Sequence, residues 1–323
     1  MKSVLSEDFL GDLGVIDFGY TEDLTPHSFD RFEQWIAQGK AEGLPYLQDE
    51  RQGYRKHLKH AFPKVQSAIV FLFDYRPTKK WLLENNNHRI ASYALGFGGA
   101  DYHAVLKKRL LKILEKLKEQ HPDLEGYVSL DHTPILERDL AYQAGLGWFG
   151  KNSMLISRKE GSYFLLGSLL LDRKLHLPKR PLEADFCGTC NACVDACPTN
   201  AIDPETRTLT ANQCISMFTI EVMKEETPPV GFEKSRGEAF GCDICQDVCP
   251  WNRRPLENET PALDLKDYPV VGSFLKLPQP ALKDFIEGHT GRGLKKLLEG
   301  TALARPGKRG WLKNLRPSPT EKA

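Results

Sequence analysis

Cysteine is missing from most of this 323-residue chain, since none occurs before Cys187 or after Cys249. Long apolar runs are missing as well: the longest, Tyr163 to Leu171, is far below the roughly 18 residues that span a bilayer. The first 20 residues lack the apolar core of a secretory signal. A net charge of +1, with 41% apolar and 27% charged residues, excludes disordered, collagen-like and coiled-coil classes. We therefore expect a cytoplasmic protein of about two domains without a membrane segment.

The eight cysteines carry most of the functional information. They form a run Cys-x2-Cys-x2-Cys-x3-Cys-Pro from Cys187, a shorter run Cys-x2-Cys-x3-Cys-Pro from Cys242, and a lone Cys214. In bacterial two-cluster ferredoxins the first spacing wraps three thiolates around one iron–sulfur cube and turns the fourth towards the other. The pattern predicts two [4Fe–4S] clusters, one held by Cys187, Cys190, Cys193 and Cys249, the other by Cys197, Cys214, Cys242 and Cys245.

Structural zinc, in two sites of four thiolates each, is the alternative interpretation of these cysteines. Disulfides are disfavoured because the chain is expected in a reducing compartment. Paired Cys-x2-Cys motifs alone would favour zinc, but the complete runs with Pro198 and Pro250 favour iron–sulfur clusters. The motif predicts one-electron transfer and does not say what is reduced.

The region before Cys187 alternates between strand and helix patterns. Apolar runs predict strands at 68–73 and 126–131, and an apolar stripe predicts a helix at 101–120. A second helix is expected between Thr133, as its N-cap, and Gly145. Residues 154–157 and 163–171 are predicted to pair as a hairpin turning at Gly161. Asp131 thus lies at the carboxyl end of a strand, an edge where α/β proteins bind ligands.

Three regions are predicted from these patterns: 1–180 as a substrate- and cofactor-binding domain, 181–255 as the two-cluster module, and 256–323 as short helices with a basic tail. A free ferredoxin needs only about 60 to 80 residues, so the front domain must hold an electron acceptor or a substrate. Gly145, Gly147 and Gly150 follow a predicted helix instead of opening one, which excludes a dinucleotide fingerprint.

The chain resembles the epoxyqueuosine reductases. The resemblance rests on Arg55 to Pro63, on Asp101-Tyr102-His103, on the segment LDHTPILERDLAYQAGLGWFGKN around Asp131, and on the complete cysteine pattern. It implies an α/β (α+β) fold, with a nitroreductase-like or reductive-dehalogenase-like cobalamin-binding domain before the two [4Fe–4S] clusters and a short helical, basic C-terminal segment. The implied reaction converts epoxyqueuosine at the tRNA wobble base to queuosine, consuming two electrons and two protons and releasing water.

The resemblance also implies roles for particular residues. Asp131 matches the family's general acid, and we expect burial beside the corrin to raise its pKa so that it holds a proton near neutral pH. A structural role beside the helix start is the alternative for Asp131, and capping or packing is the alternative for His103. Cobalt is expected to have no protein ligand. The positions matching the family's corrin surroundings are Arg55, Ala94, Asp131, Asn152, Leu155, Ser216, Cys242 and Asp243.

The end of the chain is basic. Residues 292–323 carry nine lysines and arginines against two glutamates, whereas the chain as a whole is nearly neutral. This excess predicts phosphate contacts with tRNA through Arg305, Lys308, Arg309 and Lys313. A solvated basic tail is the alternative, and Trp311 either stacks on a base or packs internally. Many family members continue into a helical-repeat domain that helps to bind tRNA; for this short form the alternatives are that the basic segment and the cluster module suffice, or that binding is weaker.

Two other functions remain open from the sequence. One is a reductive dehalogenase-like cobalamin enzyme acting on a small organic substrate, and the other is a non-catalytic electron-transfer subunit with two [4Fe–4S] clusters. The first interpretation requires tRNA as substrate and an external low-potential electron donor of the ferredoxin or flavodoxin type. We expect the protein to act as a monomer.

Overall fold

The computed structural model describes residues 5–85, 87, 89–223, 226–258, 263, 265 and 268–315. Eight strands are described: β1 Val15–Thr21, β2 Ser67–Asp74, β3 Gly126–Ser129, β4 Trp148–Phe149, β5 Leu155–Ile156, β6 Phe164–Leu171, β7 Ile202–Asp203 and β8 Thr208–Leu209. The helices within the same ranges are α1 Glu7–Asp12, α2 Phe29–Ala37, α3 Arg51–Lys56, α4 Leu58–Ala61, α5 Arg76–Glu84, α6 Tyr102–Lys118, α7 Glu137–Gln143, α8 Ala192–Ala196, α9 Ile215–Ile220, α10 Ile244–Asp247, α11 Arg253–Glu257, α12 Pro269–Lys276, α13 Gln279–Glu287, α14 Gly291–Leu297 and α15 Gly307–Asn314.

The central sheet has four strands in the order β1-β2-β6-β3, and every pairing is antiparallel. Strand β2 is buried on both faces, because its side chains alternate between two cores. Ile69 and Phe71 pack with Leu110 of α6. Val70 and Leu72 pack on the opposite face with residues of α7. The predicted mixed fold, the strand at 68–73 and the helix at 101–120 are confirmed, with ends within two residues.

Two local predictions are wrong. The two segments expected to form a hairpin separate: β5 pairs with β4, while β6 enters the central sheet between β2 and β3, and only a bridge between Ser157 and Gly161 remains. The helix after Asp131 begins at Glu137, not after Thr133, because the Thr133 hydroxyl accepts the Leu130 amide and closes a turn instead of capping. The sheet is antiparallel, so the parallel-sheet argument for a ligand edge does not hold.

The C-terminal helices pack onto the rest of the molecule. Phe274, Leu282 and Trp311 form a buried cluster with Leu82 of α5 and Phe240 of the cysteine-rich segment. Trp311 is fully buried, so it packs internally. Residues after 315, including Arg316 and Lys322 of the basic segment, lie outside the described residues. Among the helices that are described, none combines the length and apolarity required to cross a bilayer.

Candidate active site

The cysteines lie on three segments that the short helices α8, α9 and α10 hold together, and all eight are free thiols. Burial raises the pKa of the Cys249 thiol to about 11, and its neighbours Cys187, Cys193 and Cys190 add to the rise. Burial raises the pKa of Cys245 as well, and the charges of Cys242, Cys214 and Cys193 add to the rise. Cys214 has Cys197 as its charged neighbour. These interactions are compatible with the two predicted sets, the first of Cys187, Cys190, Cys193 and Cys249 and the second of Cys197, Cys214, Cys242 and Cys245, whose membership stays a prediction.

The two sets have different surroundings. The first, with Cys187 and Cys249, abuts an aromatic cluster in which Trp148 packs edge-on against Phe186 and Trp251. The indole nitrogen of Trp148 lies 3.5 Å from Cys187 Sγ. The second set faces the N-terminal domain: Asn152 Nδ2 donates to the carbonyl of Cys245 at 3.3 Å. At Gly241 a Cβ would lie 2.5 Å from that of Ala91 and 3.6 Å from the Tyr93 ring, so only glycine permits this approach.

A buried ion pair fixes the second cysteine segment to α5. The Lys79 side chain is only 2% exposed and its ammonium lies between the carboxylates of Asp243, at 3.2 Å, and Asp247. Asp243 also accepts hydrogen bonds from the amide and the hydroxyl of Ser92, at 2.9 and 2.7 Å. Because each buried charge has a partner, this network orients the Cys242–Cys245 loop against the residues around Tyr93.

Asp131 lies at the centre of a hydrogen-bonded group at the start of α6. Its carboxylate accepts the Tyr102 hydroxyl and contacts His103 Nε2 at 2.7 Å. His103 Nδ1 lies 2.8 Å from Asp101, whose carboxylate also caps α6. The imidazole therefore bridges two carboxylates, with its ring stacked on that of Tyr102 at 4.1 Å.

The protonation pattern of this group differs from the expectation. Hydrogen bonds to Asp101 and Asp131 raise the pKa of His103 from 6.5 to about 9. Burial alone would raise the pKa of Asp131, but hydrogen bonds from His103 and Tyr102 outweigh it and the pKa is lowered. The Asp131 side chain is also 42% exposed. Without a corrin beside it, Asp131 thus has a lowered pKa, and near pH 7 the proton resides on His103. Burial, aided by the charge of Asp131, raises the pKa of the nearby Glu137 to about 7.

Arg305 reaches this group from the C-terminal segment. Its guanidinium lies 3.6 Å from Asp101, 2.9 Å from His103 Nδ1 and 5.3 Å from the centre of the Tyr102 ring. A protonated His103 ring is a hydrogen-bond donor at both nitrogens, so it cannot accept a hydrogen bond from Arg305. The Arg305 guanidinium therefore acts here as the partner of the Asp101 carboxylate. The amide of Asp101 also donates to the carbonyl of Gly300 at 2.7 Å. Arg305, predicted as a tRNA contact, therefore lies beside the acid–base group.

The other three predicted tRNA contacts differ in exposure. Lys313 is buried, and its ammonium donates to the carbonyls of Phe218 and of Val222, the latter at 2.7 Å. It stabilises the end of α9, so its prediction as a phosphate contact needs correction. Lys308 donates to two carbonyls at the end of α13, both at 2.8 Å. Arg309 is exposed.

The residues matched to the corrin surroundings lie in two groups. Ala94, Asn152, Ser216, Cys242 and Asp243 lie around the second cysteine set: Ser216 follows Cys214, and Ser92, two residues before Ala94, binds Asp243. Arg55 lies across from them on α3, buried, with its guanidinium over the Phe32 ring and hydrogen bonded to the Arg51 carbonyl. Leu155 packs in the core between the sheet and α7.

Side chains from several elements interact electrostatically between Arg55 and the second cysteine set. The pKa values of Tyr46, Tyr93 and Glu221 are all raised, first by burial and then in part by the charge of Asp131. Arg55 acts on Tyr46, and Arg305 acts on Tyr93 and Glu221. The acid–base group and the second cysteine set are thus connected through Tyr93, whose ring packs edge-on against Tyr102 at 5.7 Å.

Two open cavities lie on the surface. One of about 600 Å³ adjoins the acid–base group and is basic, lined by Asp101, Arg292, Lys295, Lys296 and Arg305 among others. Another of about 760 Å³ lies at the edge of the sheet, with Glu22, His57, Lys64 and Asp172 among its lining residues, and includes none of the predicted site residues. Of these two cavities, the one of about 600 Å³ therefore adjoins the acid–base group.

Comparisons with known proteins agree with this arrangement. Residues 186–252 match the family model of the 4Fe-4S double cluster binding domain, and residues 55–131 match that of epoxyqueuosine reductase QueG. The epoxyqueuosine reductase of Cyclobacterium marinum is 38% identical over 260 residues, covering 78% of this chain and 79% of its own length. That of Vibrio cholerae is 37% identical over 312 residues, covering 94% and 79%. This chain belongs to the epoxyqueuosine reductase family.

The fold agrees with solved epoxyqueuosine reductases. The enzyme from Streptococcus thermophilus superimposes with a TM-score of 0.76 at 22% identity, covering 98% of this chain and 80% of that one. An epoxyqueuosine reductase bound to an epoxyqueuosine-modified tRNA-Tyr stem loop gives 0.74 at 24%, covering 97% and 79%. The Bacillus subtilis enzyme, with its catalytic aspartate loop swung out of the active site, gives 0.72 at 24%, covering 98% and 81%.

The sequence did not indicate that His103 carries the proton, and it predicted Arg305 as a contact with tRNA. The string Asp101-Tyr102-His103 was the available signal, because an N-cap aspartate followed two residues later by histidine can place both side chains together. No local pattern connects Arg305 with Asp101, which is about 200 residues away in sequence.

Proposed function

We propose that this chain reduces epoxyqueuosine in tRNA to queuosine, with Asp131 and His103 handling the proton and the two [4Fe–4S] clusters supplying electrons. The observation that carries the proposal is the contact chain from the second cysteine set through Tyr93 and Tyr102 to Asp131. It places a proton donor and an electron path at the same cleft, as a reaction that consumes both requires.

Cobalamin is the cofactor we propose between these groups. When bound, it supplies a strongly nucleophilic reduced cobalt suited to attack on a strained epoxide carbon. The residues present fit a corrin without a protein ligand on the metal: His103 has both ring nitrogens engaged by carboxylates, and the cysteines are taken up by the two sets. Arg55 on one side, and Asn152, Ser216 and the Asp243 loop on the other, would hold it.

Proton delivery follows from the hydrogen bonds of Asp131. An alkoxide is a poor leaving group, so the departing epoxide oxygen must be protonated. His103 holds a proton at Nε2, 2.7 Å from Asp131 Oδ1, and the exposed face of Asp131 opens to the cleft. We infer that the pair is the general acid, with the proton stored on the imidazole and passed through the carboxylate. Glu137 is placed to replenish it near neutral pH.

The tRNA backbone would bind the basic cavity beside this pair. Arg292, Lys295 and Lys296 lie on its wall and Arg305 connects it to Asp101. A basic cavity beside the acid–base group would neutralise backbone phosphates near the modified nucleotide. We infer a monomeric enzyme that works in the cytoplasm and receives electrons from an external low-potential carrier.

Nucleoside analysis of tRNA from a deletion strain tests this function. We expect epoxyqueuosine to accumulate, to be cured by the wild-type chain, and to persist with Asp131→Asn. Asp12→Asn, an exposed acid on α1, is the matched control and should restore queuosine. Unchanged queuosine in the deletion strain, where no second reductase exists, would refute the proposal.

A further inference from the structure

We propose that electrons reach this protein at the exposed loop around Cys190, from an acidic one-electron carrier protein that docks on a basic rim formed by Lys151, Arg158, Arg253 and Arg254. This inference rests on the proposed function for the fate of the electrons. It adds the site of their arrival and the charge of the partner that delivers them.

Exposure distinguishes the two cysteine sets. Cys190 is exposed, as are its neighbours Thr189 and Asn191, and a side chain at Gly188 would meet open space. The second set faces inward, because the Gly241 loop packs directly against Ala91 and the Tyr93 ring. Among the eight cysteines, Cys190 of the first set is the one that the structure leaves fully exposed. Since electron tunnelling weakens steeply with distance, a carrier must dock over this first cluster.

The rim of this loop is basic. The Lys151 ammonium donates to the Cys190 carbonyl at 2.9 Å and to Asn191 at 2.8 Å, which holds its charge at the loop. The exposed Arg158 guanidinium lies 5.0 Å from the centre of the Phe186 ring, next to Cys187 in sequence. Both groups lie at the edge of the first cluster.

Two further arginines extend the rim. Arg253 and Arg254 are exposed and follow Trp251, whose ring lies 5.7 Å from Phe186. The neighbouring Asp185 is already paired with Arg207. The exposed Asp195 on α8 and Glu257 on α11 are opposing charges. The net charge of the side chains on this face is positive, whereas the chain as a whole is nearly neutral.

A positive docking face selects a negative partner by raising the encounter rate and by orienting it. In each encounter the carrier is oxidised by one electron and the first cluster is reduced from [4Fe–4S]²⁺ to [4Fe–4S]⁺. Two encounters supply the two electrons that the epoxide reduction consumes, while its two protons come from the solvent through the acid–base group. The carrier is therefore a one-electron donor with an acidic surface.

Stopped-flow bleaching of the cluster absorbance by a reduced, acidic [2Fe–2S] ferredoxin tests this docking face in the anaerobic holoenzyme. For the double variant Arg158→Glu/Arg254→Glu we expect the second-order rate constant to fall about tenfold or more at low salt, and its salt dependence to weaken. Lys107→Glu/Lys108→Glu, an exposed pair on α6 across the sheet, is the matched control and should behave as wild type. Asp195→Asn should accelerate bleaching.

Reduction by dithionite, a small molecule that needs no docking face, distinguishes a docking defect from loss of the clusters and from failure of the proposed function. It should bleach the clusters of every variant equally, and iron content should be unchanged. Equal ferredoxin rates in the rim variant and the α6 control would overturn the docking proposal. Charge-dependent bleaching in a protein that does not convert epoxyqueuosine with dithionite would support the docking face and sink the proposed function instead.

Discussion

The pKa of His103 provides the sharpest test of the proton path. Its rise from 6.5 to about 9 corresponds to roughly 3 kcal/mol of preference for the charged imidazole. Asp101 is the largest cause, through the 2.8 Å hydrogen bond to Nδ1. We expect Asp101→Asn to lower the His103 pKa by at least about 1 pH unit. Asparagine is as good an N-cap as aspartate, so α6 should remain intact.

The assay is the single-turnover rate of epoxyqueuosine reduction with dithionite between pH 6 and pH 10. The wild-type rate should fall only as His103 loses its proton near pH 9, whereas Asp101→Asn should lose activity at correspondingly lower pH. NMR titration of the His103 ring gives the pKa independently of turnover. His132→Gln, an exposed neighbour, should leave the profile unchanged. A lowered imidazole pKa with the same alkaline limit would refute storage of the catalytic proton on His103.

The remaining predictions concern stability, clusters and tRNA. Lys79→Met leaves the buried Asp243 carboxylate without its ammonium partner and Asp247 with Arg236 alone, and should destabilise the fold by about 3–5 kcal/mol, measured by anaerobic thermal unfolding. Cys190→Ser should remove one of the two clusters while the second keeps its EPR signal. Arg309→Ala should weaken tRNA binding and flatten its salt dependence, whereas Lys313→Met should lower the Tm without altering that dependence. The pKa of His103 is higher in the folded protein than in the unfolded chain, so its interactions stabilise the fold fully only below the unfolded pKa of 6.5. The Tm deficit of His103→Gln should therefore be largest near pH 6 and should disappear as the pH rises through about 9.

Strand and helix predictions succeeded where burial imposes a pattern on a long element, on one face of α6 and on both faces of β2. The stripe containing Leu106 and Leu110 and the apolar run of β2 are local consequences of periodicity. The hairpin failed because β6 finds longer partners in β2 and β3 than in the two-residue β5, and that competition is between distant segments. The failure of Thr133 as a cap is local, since its hydroxyl accepts the amide of Leu130, three residues earlier.

The cysteine spacing alone indicated a module for two [4Fe–4S] clusters, which the match of residues 186–252 to a double cluster binding domain supports, because the geometry of a thiolate loop around a cube is contained within a few residues. Tertiary structure alone decided where the proton resides, since the pKa of Asp131 depends on His103, and that of His103 on Asp101 beside Arg305. It also decided that Lys313 is internal and Arg309 is not. A side chain's charge is visible in the sequence, but its partners and its exposure to water come from segments that only folding brings together.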